Sequence, residues 1–399
     1  MRTVQSDSNT VCLGRNETVY FLASRPTSIP STPITIITCT YLRYKDAHLP
    51  PRFTSSHCYQ HRRQSHSPTF LQALPSYKPY LPKRLIALEE HVVSPSLEAE
   101  VIASGLIQRS APGTLEKLKN VGTGRIADMD AGRLSLMVLA QQSASGMEDP
   151  DGCSKANNAV QDAIKSNPKR FAGFAVLPLA TPDQGAAELE RRVKKLGFRG
   201  AMIWNHLKDG TYFDGGRFDP VFAKAQELDV PLSLHPDSPT QDIFQRLFAG
   251  DYVQPQTAGR FITNSWGWHV DVGTHILRRY GAGVFDRFPK LKVMIGHNGE
   301  DLPMFIDRVN STALRNDTTF DRVWNTNIWT TTSAFFTVRA FQQLRQVAPI
   351  ERIMYSVDYP FSNITAGWQF VQQLAEQRVL TNQEMNLFAY KNAEKLLKL

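Results

Sequence analysis

Eight short apolar runs recur between residues 85 and 358, and helical patterns separate them. The runs are Leu85–His91, Leu134–Ala140, Phe171–Leu179, Phe198–Trp204, Val230–Pro236, Leu291–His297, Asn327–Ser333 and Arg352–Asp358. Each has the length and continuity of a buried strand. Helices are expected over 96–106, 114–131, 153–167, 181–196, 219–228, 362–377 and 382–397. Ser94 before Pro95, and Thr181 before Pro182, read as N-caps with proline at the first helical position; Gly197 stops the second of these helices. Strand–helix alternation of this kind predicts an α/β fold, a (β/α)8 TIM barrel, which needs about 250 residues. The body, residues 85–399, is somewhat longer. Its excess lies mostly between the fifth and sixth runs, in a stretch carrying Phe261, Trp266, Trp268 and His269. That stretch is expected to be a helical insertion, capping the barrel mouth or forming an oligomer contact.

Residues 1–84 have a different character. They are rich in Ser, Thr, Pro, Arg and His and show no sustained period of 2 or 3.6, apart from a short β-like run at Ile34–Thr38. Such a composition buries little apolar surface, so a disordered N-terminal extension is expected. An Arg/Ser-rich targeting segment is the alternative. This leader holds 11 of the 45 Lys and Arg but only 3 of the 37 Asp and Glu, so the formal +8 of the chain belongs to it and the body is balanced. Nucleic-acid binding by the body therefore has little support. Three of the four cysteines also lie in the leader, leaving Cys153 alone in the body, where no internal disulfide can form. No apolar run is long enough to span a membrane. A cytoplasmic protein is expected, or a mitochondrial one if the leader is a targeting segment.

Polar residues recur where the runs end. On a strand, alternate residues share a face, so Glu89 and His91 point one way and Glu90 the other. The fifth run carries His235 next to its end, the sixth ends in His297 and the eighth in Asp358. In a barrel the C-terminal strand ends converge on one face. Glu89, His91, His235 and Asp358 then offer two carboxylates and two imidazoles, which suits a divalent cation such as zinc or manganese. His297 is left to act on substrate or on bound water. Singly, each residue has a structural explanation; the joint placement at equivalent strand ends carries the argument. His206 follows the fourth run by two residues and is a rim candidate. His269 and His275, in the insertion, are expected to be structural.

These residues occur in longer segments: Ile86-Ala87-Leu88-Glu89-Glu90-His91, Leu234-His235-Pro236, Trp266-Gly267 with Gly273-Thr274-His275, Ile295-Gly296-His297-Asn298-Gly299-Glu300-Asp301-Leu302-Pro303, and Tyr355-Ser356-Val357-Asp358-Tyr359-Pro360-Phe361. In this order they resemble the decarboxylase branch of the amidohydrolase superfamily, which includes the 2,3-dihydroxybenzoate, γ-resorcylate and 5-carboxyvanillate decarboxylases. The resemblance covers almost the whole body and none of the leader. It implies that Glu89, His91, His235 and Asp358 hold one divalent ion (zinc or manganese, sometimes magnesium) with no organic cofactor. It implies further that His297 and Glu300 form a catalytic pair, that Arg308 lends support to the substrate site, and that the protein is a homodimer or homotetramer. Two departures stand out. Arg often follows the His-Pro pair in that branch, and here the residue is Asp237. The seventh run often ends Ser-Gly-x-Phe, and here it reads Ser333-Ala334-Phe335-Phe336.

The expected reaction is non-oxidative decarboxylation of a small, ortho-hydroxylated aromatic acid, of the 2,3-dihydroxybenzoate or the resorcylate and orsellinate kind. The ring carbon must be protonated as CO2 leaves, which requires an acid within hydrogen-bond reach. Asp358 is the favoured immediate donor, with His297 relaying the proton and Glu300 orienting the imidazole. Trp266, Trp268 and Phe336 are the candidates to wall the ring. Metal-dependent hydrolysis of a lactone or related ester is the alternative, and a non-catalytic barrel scaffold is a third reading.

Overall fold

The computed structural model describes three strands within the first 77 residues, then residues 78–142 and 145–399. The chain divides into two compact units, Met1–Leu74 and Pro75–Leu399. In the first, Thr10–Arg15, Thr18–Ala23 and Thr38–Thr40 pair antiparallel in sequence order. The expectation of a disordered or targeting leader otherwise falls outside the described residues.

In the second unit each apolar run coincides with a strand, the first two strands ending one residue later than their runs: β1 (Ile86–Val92), β2 (Leu136–Gln141), β3 (Phe171–Gly173), β4 (Ala201–Trp204), β5 (Pro231–His235), β6 (Lys292–Ile295), β7 (Ile328–Thr331) and β8 (Ile353–Met354). Strands β1 to β3 form one parallel ladder and β4 to β8 another, both in sequence order. Two single parallel bridges, Ala175 to Ala201 and Glu90 to Tyr359, join the ladders at both edges and close the ring. The barrel expected from the sequence is the barrel observed.

Most strands are shorter than their runs. The third is expected to reach Leu179, but its ladder ends at Gly173 and only Ala175 pairs again. Pro178, which has no N–H to donate, lies beyond that point. The helix expected over 114–131 is two helices, Thr114–Lys119 and Thr123–Ala131. Between them Asn120 Oδ1 accepts the Gly122 N–H at 2.9 Å, a local bond that competes with helix continuation.

Two apolar sets alternate along the strands. Ile86, Leu88, Val138, Ala140, Phe174, Met202, Met294 and Met354 belong to one cluster, which fills the barrel and meets Leu396 and Leu397 of the C-terminal helix. Leu85, Ala87, Met137, Leu139, Ile203, Leu234 and Ile295 belong to another, shared with the surrounding helices. Strict alternation from Leu88 would send Glu90 into the barrel and turn Glu89 and His91 outward. A bulge prevents this. Ala87 pairs with Met137 and Glu90 with Leu139, so β1 spends one more residue than β2 over that interval. The extra residue reverses the phase. Above it, His91 pairs with the inward Ala140, and Glu90 with the outward Leu139.

Glu90 then serves the seam where β1 meets the segment after β8. Its side chain is fully buried. Its carboxyl accepts from Ser356 Oγ at 3.0 Å, Val357 N at 2.9 Å and Tyr359 N at 3.1 Å. Ser356 Oγ in turn accepts from Leu88 N at 3.1 Å and Glu89 N at 2.8 Å. Side chains thus satisfy much of the backbone that a longer β8 would have paired.

The insertion after β5 is helical, as expected. It comprises Gln241–Leu247, Pro255–Ile262, Gly267–Gly281 and Val284–Arg287. His275 has the structural role expected of it: it is buried, its Nδ1 faces Asn205 Oδ1, and its Nε2 accepts from Phe213 N and Arg279 Nε. Among the described residues, no helix is long and apolar enough to cross a membrane.

Candidate metal centre

The strand ends deliver four side chains to one point. Glu89, His91, His235 and Asp358 are all buried, and each offers a ligand atom within 4.8 Å of the others. Asp358 Oδ1 lies 3.0 Å from His91 Nε2, and His235 Nε2 lies 3.5 Å from Glu89 Oε1. Glu89 Oε1, both His91 ring nitrogens and Asp358 Oδ1 are buried without a hydrogen-bond partner. Unmade polar atoms are costly in a dry interior, and Glu89 Oε1, His91 Nε2 and Asp358 Oδ1 belong to the group that converges as N and O donors. The residues fit a divalent cation of the zinc or manganese kind.

The surroundings orient these donors. His235 Nδ1 lies 2.8 Å from the Pro236 carbonyl. A carbonyl only accepts, so Nδ1 carries the hydrogen and Nε2 keeps its lone pair for the centre. Burial, with His91 close by, lowers the His235 pKa to about 3 and keeps the ring neutral. Glu89 Oε2 accepts from Ser333 Oγ at 2.8 Å and Thr331 Oγ1 at 3.3 Å. Burial raises the Glu89 pKa; His297 opposes the shift and Asp358 adds to it. For Asp358, burial also favours the neutral form, but His297 and His91 overcome it and hold the carboxyl well below its ordinary range.

Gly296 is the close neighbour that Glu89 requires. A Cβ at that position would stand 2.7 Å from Glu89 Oε2 and 3.1 Å from Oε1. Gly296→Ala should therefore displace a candidate ligand carboxylate with no change of donor chemistry. Metal affinity, read by titration of the metal-free protein, is expected to fall about 10- to 100-fold, the range for neighbours that orient ligands. An unchanged affinity would show that Glu89 does not contribute as placed.

Beside this centre lies a second buried group, His269, His297 and Glu300. His297 Nε2 faces the centre, 3.9 Å from Glu89 Oε1 and 4.0 Å from Asp358 Oδ2. Its Nδ1 lies 3.0 Å from Glu300 Oε1, while His269 Nδ1 lies 2.6 Å from Glu300 Oε2. Burial works against charge on His297, but Glu300 and Asp358 outweigh it and raise its proton affinity well above the ordinary value. Glu300 responds in the opposite sense: burial favours its neutral form, yet the two imidazoles lower its pKa to about 2. His269, expected to be purely structural, is thus brought to the site by the insertion. Nothing local in the sequence marks it, because its placement depends on how a helix docks over the mouth.

Of the three candidate ring-wall residues, Phe336 turns towards the core. Phe336 stacks on Phe370, with centroids 5.8 Å apart, and packs against the core. The ring beside the site is its neighbour Phe335, 5.7 Å from His269. Ala334 has φ 54, so the chain turns there and strand alternation no longer says which Phe faces inward. Phe361 lies 5.5 Å from His91, and Trp204 lies 4.4 Å from His235. Trp266 is 47% exposed. Trp268 is partly buried, and its Nε1 has no partner. Arg308 is exposed on the Ile306–Ser311 helix. Asp237 follows His235 by two residues; burial, opposed by His206, pushes its carboxyl up to about 6.

Comparison with known proteins agrees with this architecture. The family model described as Amidohydrolase matches residues 115–399. Decarboxylase orsB of Emericella nidulans is 41% identical over 79% of this chain and 97% of its own length. Gamma-resorcylate decarboxylase of Polaromonas sp. is 29% identical over 79% of this chain and 98% of its own. A crystal structure of a dihydroxybenzoic acid decarboxylase from Polaromonas sp., with bound manganese and the inhibitor 2-nitroresorcinol, superposes with a TM-score of 0.72 at 27% identity, covering 79% of this chain and 97% of that one. The chain belongs to the amidohydrolase superfamily, in its decarboxylase branch.

Proposed function

We propose that the protein is a metal-dependent carboxy-lyase that removes CO2 from an ortho-hydroxylated aromatic acid of the resorcylate or dihydroxybenzoate kind. The observation that carries this reading is the juxtaposition of two buried groups: four metal-competent side chains with unmade polar atoms, and the His297–Glu300 pair aimed at them. The named relatives are decarboxylases, and the manganese-containing neighbour binds a resorcinol derivative.

When bound, a divalent ion supplies Lewis acidity toward the oxygens of the acid. The chain's own residues do the rest. Phe335 and Phe361 flank the aryl ring near His269 and His91. His297 holds a proton at Nε2, the atom facing the centre, and Glu300 keeps Nδ1 turned away from it. That proton passes, by way of the Asp358 carboxylate beside it, to the ring carbon bearing the carboxylate. The bond to the carboxylate then breaks, its electron pair returns to the ring, and CO2 departs. Asp358, the donor favoured from the sequence, is held as a carboxylate by His297 and His91. It is better suited to pass the His297 proton on than to store it.

The test is a panel of hydroxybenzoates, including 2,6-dihydroxybenzoate, 2,3-dihydroxybenzoate, salicylate and orsellinate, given to manganese- or zinc-loaded protein, with CO2 release followed directly. Release from an ortho-hydroxylated member and not from its meta isomer is expected. Lactone opening without CO2 from any acid would replace the reading with hydrolysis.

A further inference from the structure

One carboxylate in this molecule is spanned by two imidazoles that arrive from different parts of the chain. Glu300 is buried, and each of its oxygens meets one ring: Oε1 meets His297 at 3.0 Å and Oε2 meets His269 at 2.6 Å. His297 and Glu300 sit in a turn whose residues His297, Asn298, Gly299 and Glu300 have φ of 49, 57, 88 and 57. Left-handed backbone is costly for ordinary side chains and persists only when the surroundings hold it. His269 comes from outside that turn, near the start of the Gly267–Gly281 helix of the insertion. Its Nε2 lies 3.0 Å from the Asn264 carbonyl, which can only accept, so Nε2 carries a hydrogen. The ring is therefore pinned at one end to the insertion, and Nδ1, which faces a carboxylate that can only accept, donates a second hydrogen to Glu300 Oε2. It also packs edge-on against His297, with centroids 4.9 Å apart.

We infer that His269 is a positioning residue, which anchors Glu300 and thereby aims His297 Nε2 at the site, so that seating of the insertion and alignment of the proton donor are one event. The inference rests on the decarboxylase reading and goes beyond it. Glu300 alone makes only one bond to the imidazole it must orient. With His269 withdrawn, Oε2 would be a buried oxygen without a partner, and the carboxylate would rotate to recover one. His297 would then lose its fixed direction while remaining present and chemically competent. Substrate affinity, which draws on the metal ligands and aromatic walls, should be nearly unaffected.

The experiment compares wild type, His269→Ala and His269→Gln as full-length, metal-loaded proteins. Steady-state kinetics on the best substrate of the panel should show kcat of His269→Ala reduced about 10- to 100-fold, the range for residues that orient a functional group through another. KM should change little, and metal content should be unchanged. Glutamine can donate one amide N–H to Glu300, so His269→Gln should recover much of the lost kcat, and added imidazole should partly rescue the alanine variant. Proton NMR of the zinc-loaded proteins supplies a readout without turnover. Wild type should show downfield N–H resonances from both imidazole–carboxylate bonds; His269→Gln should lose one and shift the other, which belongs to His297. Unchanged kcat in His269→Ala, or a loss that tracks missing metal, would overturn the inference, as would a His297 resonance that does not move. If wild type releases no CO2 from any acid, the decarboxylase reading fails, and the resonances alone decide whether His269 holds the pair.

Discussion

Asp358→Ala is expected to remove both metal and activity. Its carboxylate is one of two in the centre, and it faces His91 Nε2 at 3.0 Å with Oδ1 and His297 Nε2 at 4.0 Å with Oδ2. Alanine would leave two imidazoles and one carboxylate to hold a divalent cation and would break the route from His297 towards the substrate. Loss of a positioned proton carrier alone is worth about 10²- to 10⁴-fold, and loss of a ligand adds to it. CO2 release should fall below detection, with metal per chain far below one by elemental analysis. Asp358→Asn separates the two effects. It keeps the size and a ligand oxygen but cannot carry the proton, so it should retain more metal than alanine while remaining nearly inactive. Full metal and substantial turnover in Asp358→Ala would refute the assignment.

Glu90→Ala should have the second large effect, on stability. The side chain accepts one hydroxyl and two backbone N–H groups across the seam that closes the barrel. Each buried donor left unsatisfied costs about 1–3 kcal/mol, so the change removes a large part of the roughly 5–15 kcal/mol that separates folded from unfolded protein. Urea denaturation of the metal-free protein should show it as a large fall in midpoint, or as failure to accumulate folded protein. The carboxyl also has a pH signature. Burial, only partly opposed by the three bonds, pushes its pKa from 4.5 up to about 8. A group with a raised folded-state pKa contributes stability that is fully present below its unfolded value and is lost as pH rises through the folded one. The Glu90 contribution should therefore decline between about pH 4.5 and pH 8, and Glu90→Gln should remove that decline. A midpoint for Glu90→Ala close to that of wild type would mean that the seam is held by other contacts.

Much of this molecule is legible in the amino-acid sequence, for identifiable reasons. Each strand is a continuous apolar run because both of its faces are buried, and the runs carry Glu89, His91, His235, His297 and Asp358 at or next to their ends because the strand ends form the mouth. What the sequence conceals depends on tertiary placement or local backbone geometry. His269 belongs to a helix whose own pattern says nothing of Glu300. Phe335 and Phe336 are adjacent, and only the left-handed turn at Ala334 decides which ring faces the site. Ser333 and Gly296 act through Glu89, a residue more than 200 positions away in the chain. The period of two at Leu85–His91 correctly groups Glu89 with His91, but it cannot say which side of the barrel they face, because a bulge lies inside the run.

That bulge gives β1 two independent duties along a single strand. Its lower half belongs to a hydrocarbon plug, with Ile86 and Leu88 among the methionines of the barrel. Its upper half belongs to an ionic mouth. A strand of uniform phase would have to choose: Glu89 and His91 aimed inward would place the apolar side chains below them outside, and an apolar interior would turn Glu89 and His91 away. One residue of extra contour length removes the conflict. It lets Glu90, displaced from the interior, become the clasp of the ring, so that the same irregularity aims Glu89 and His91 into the mouth and closes the barrel beneath them.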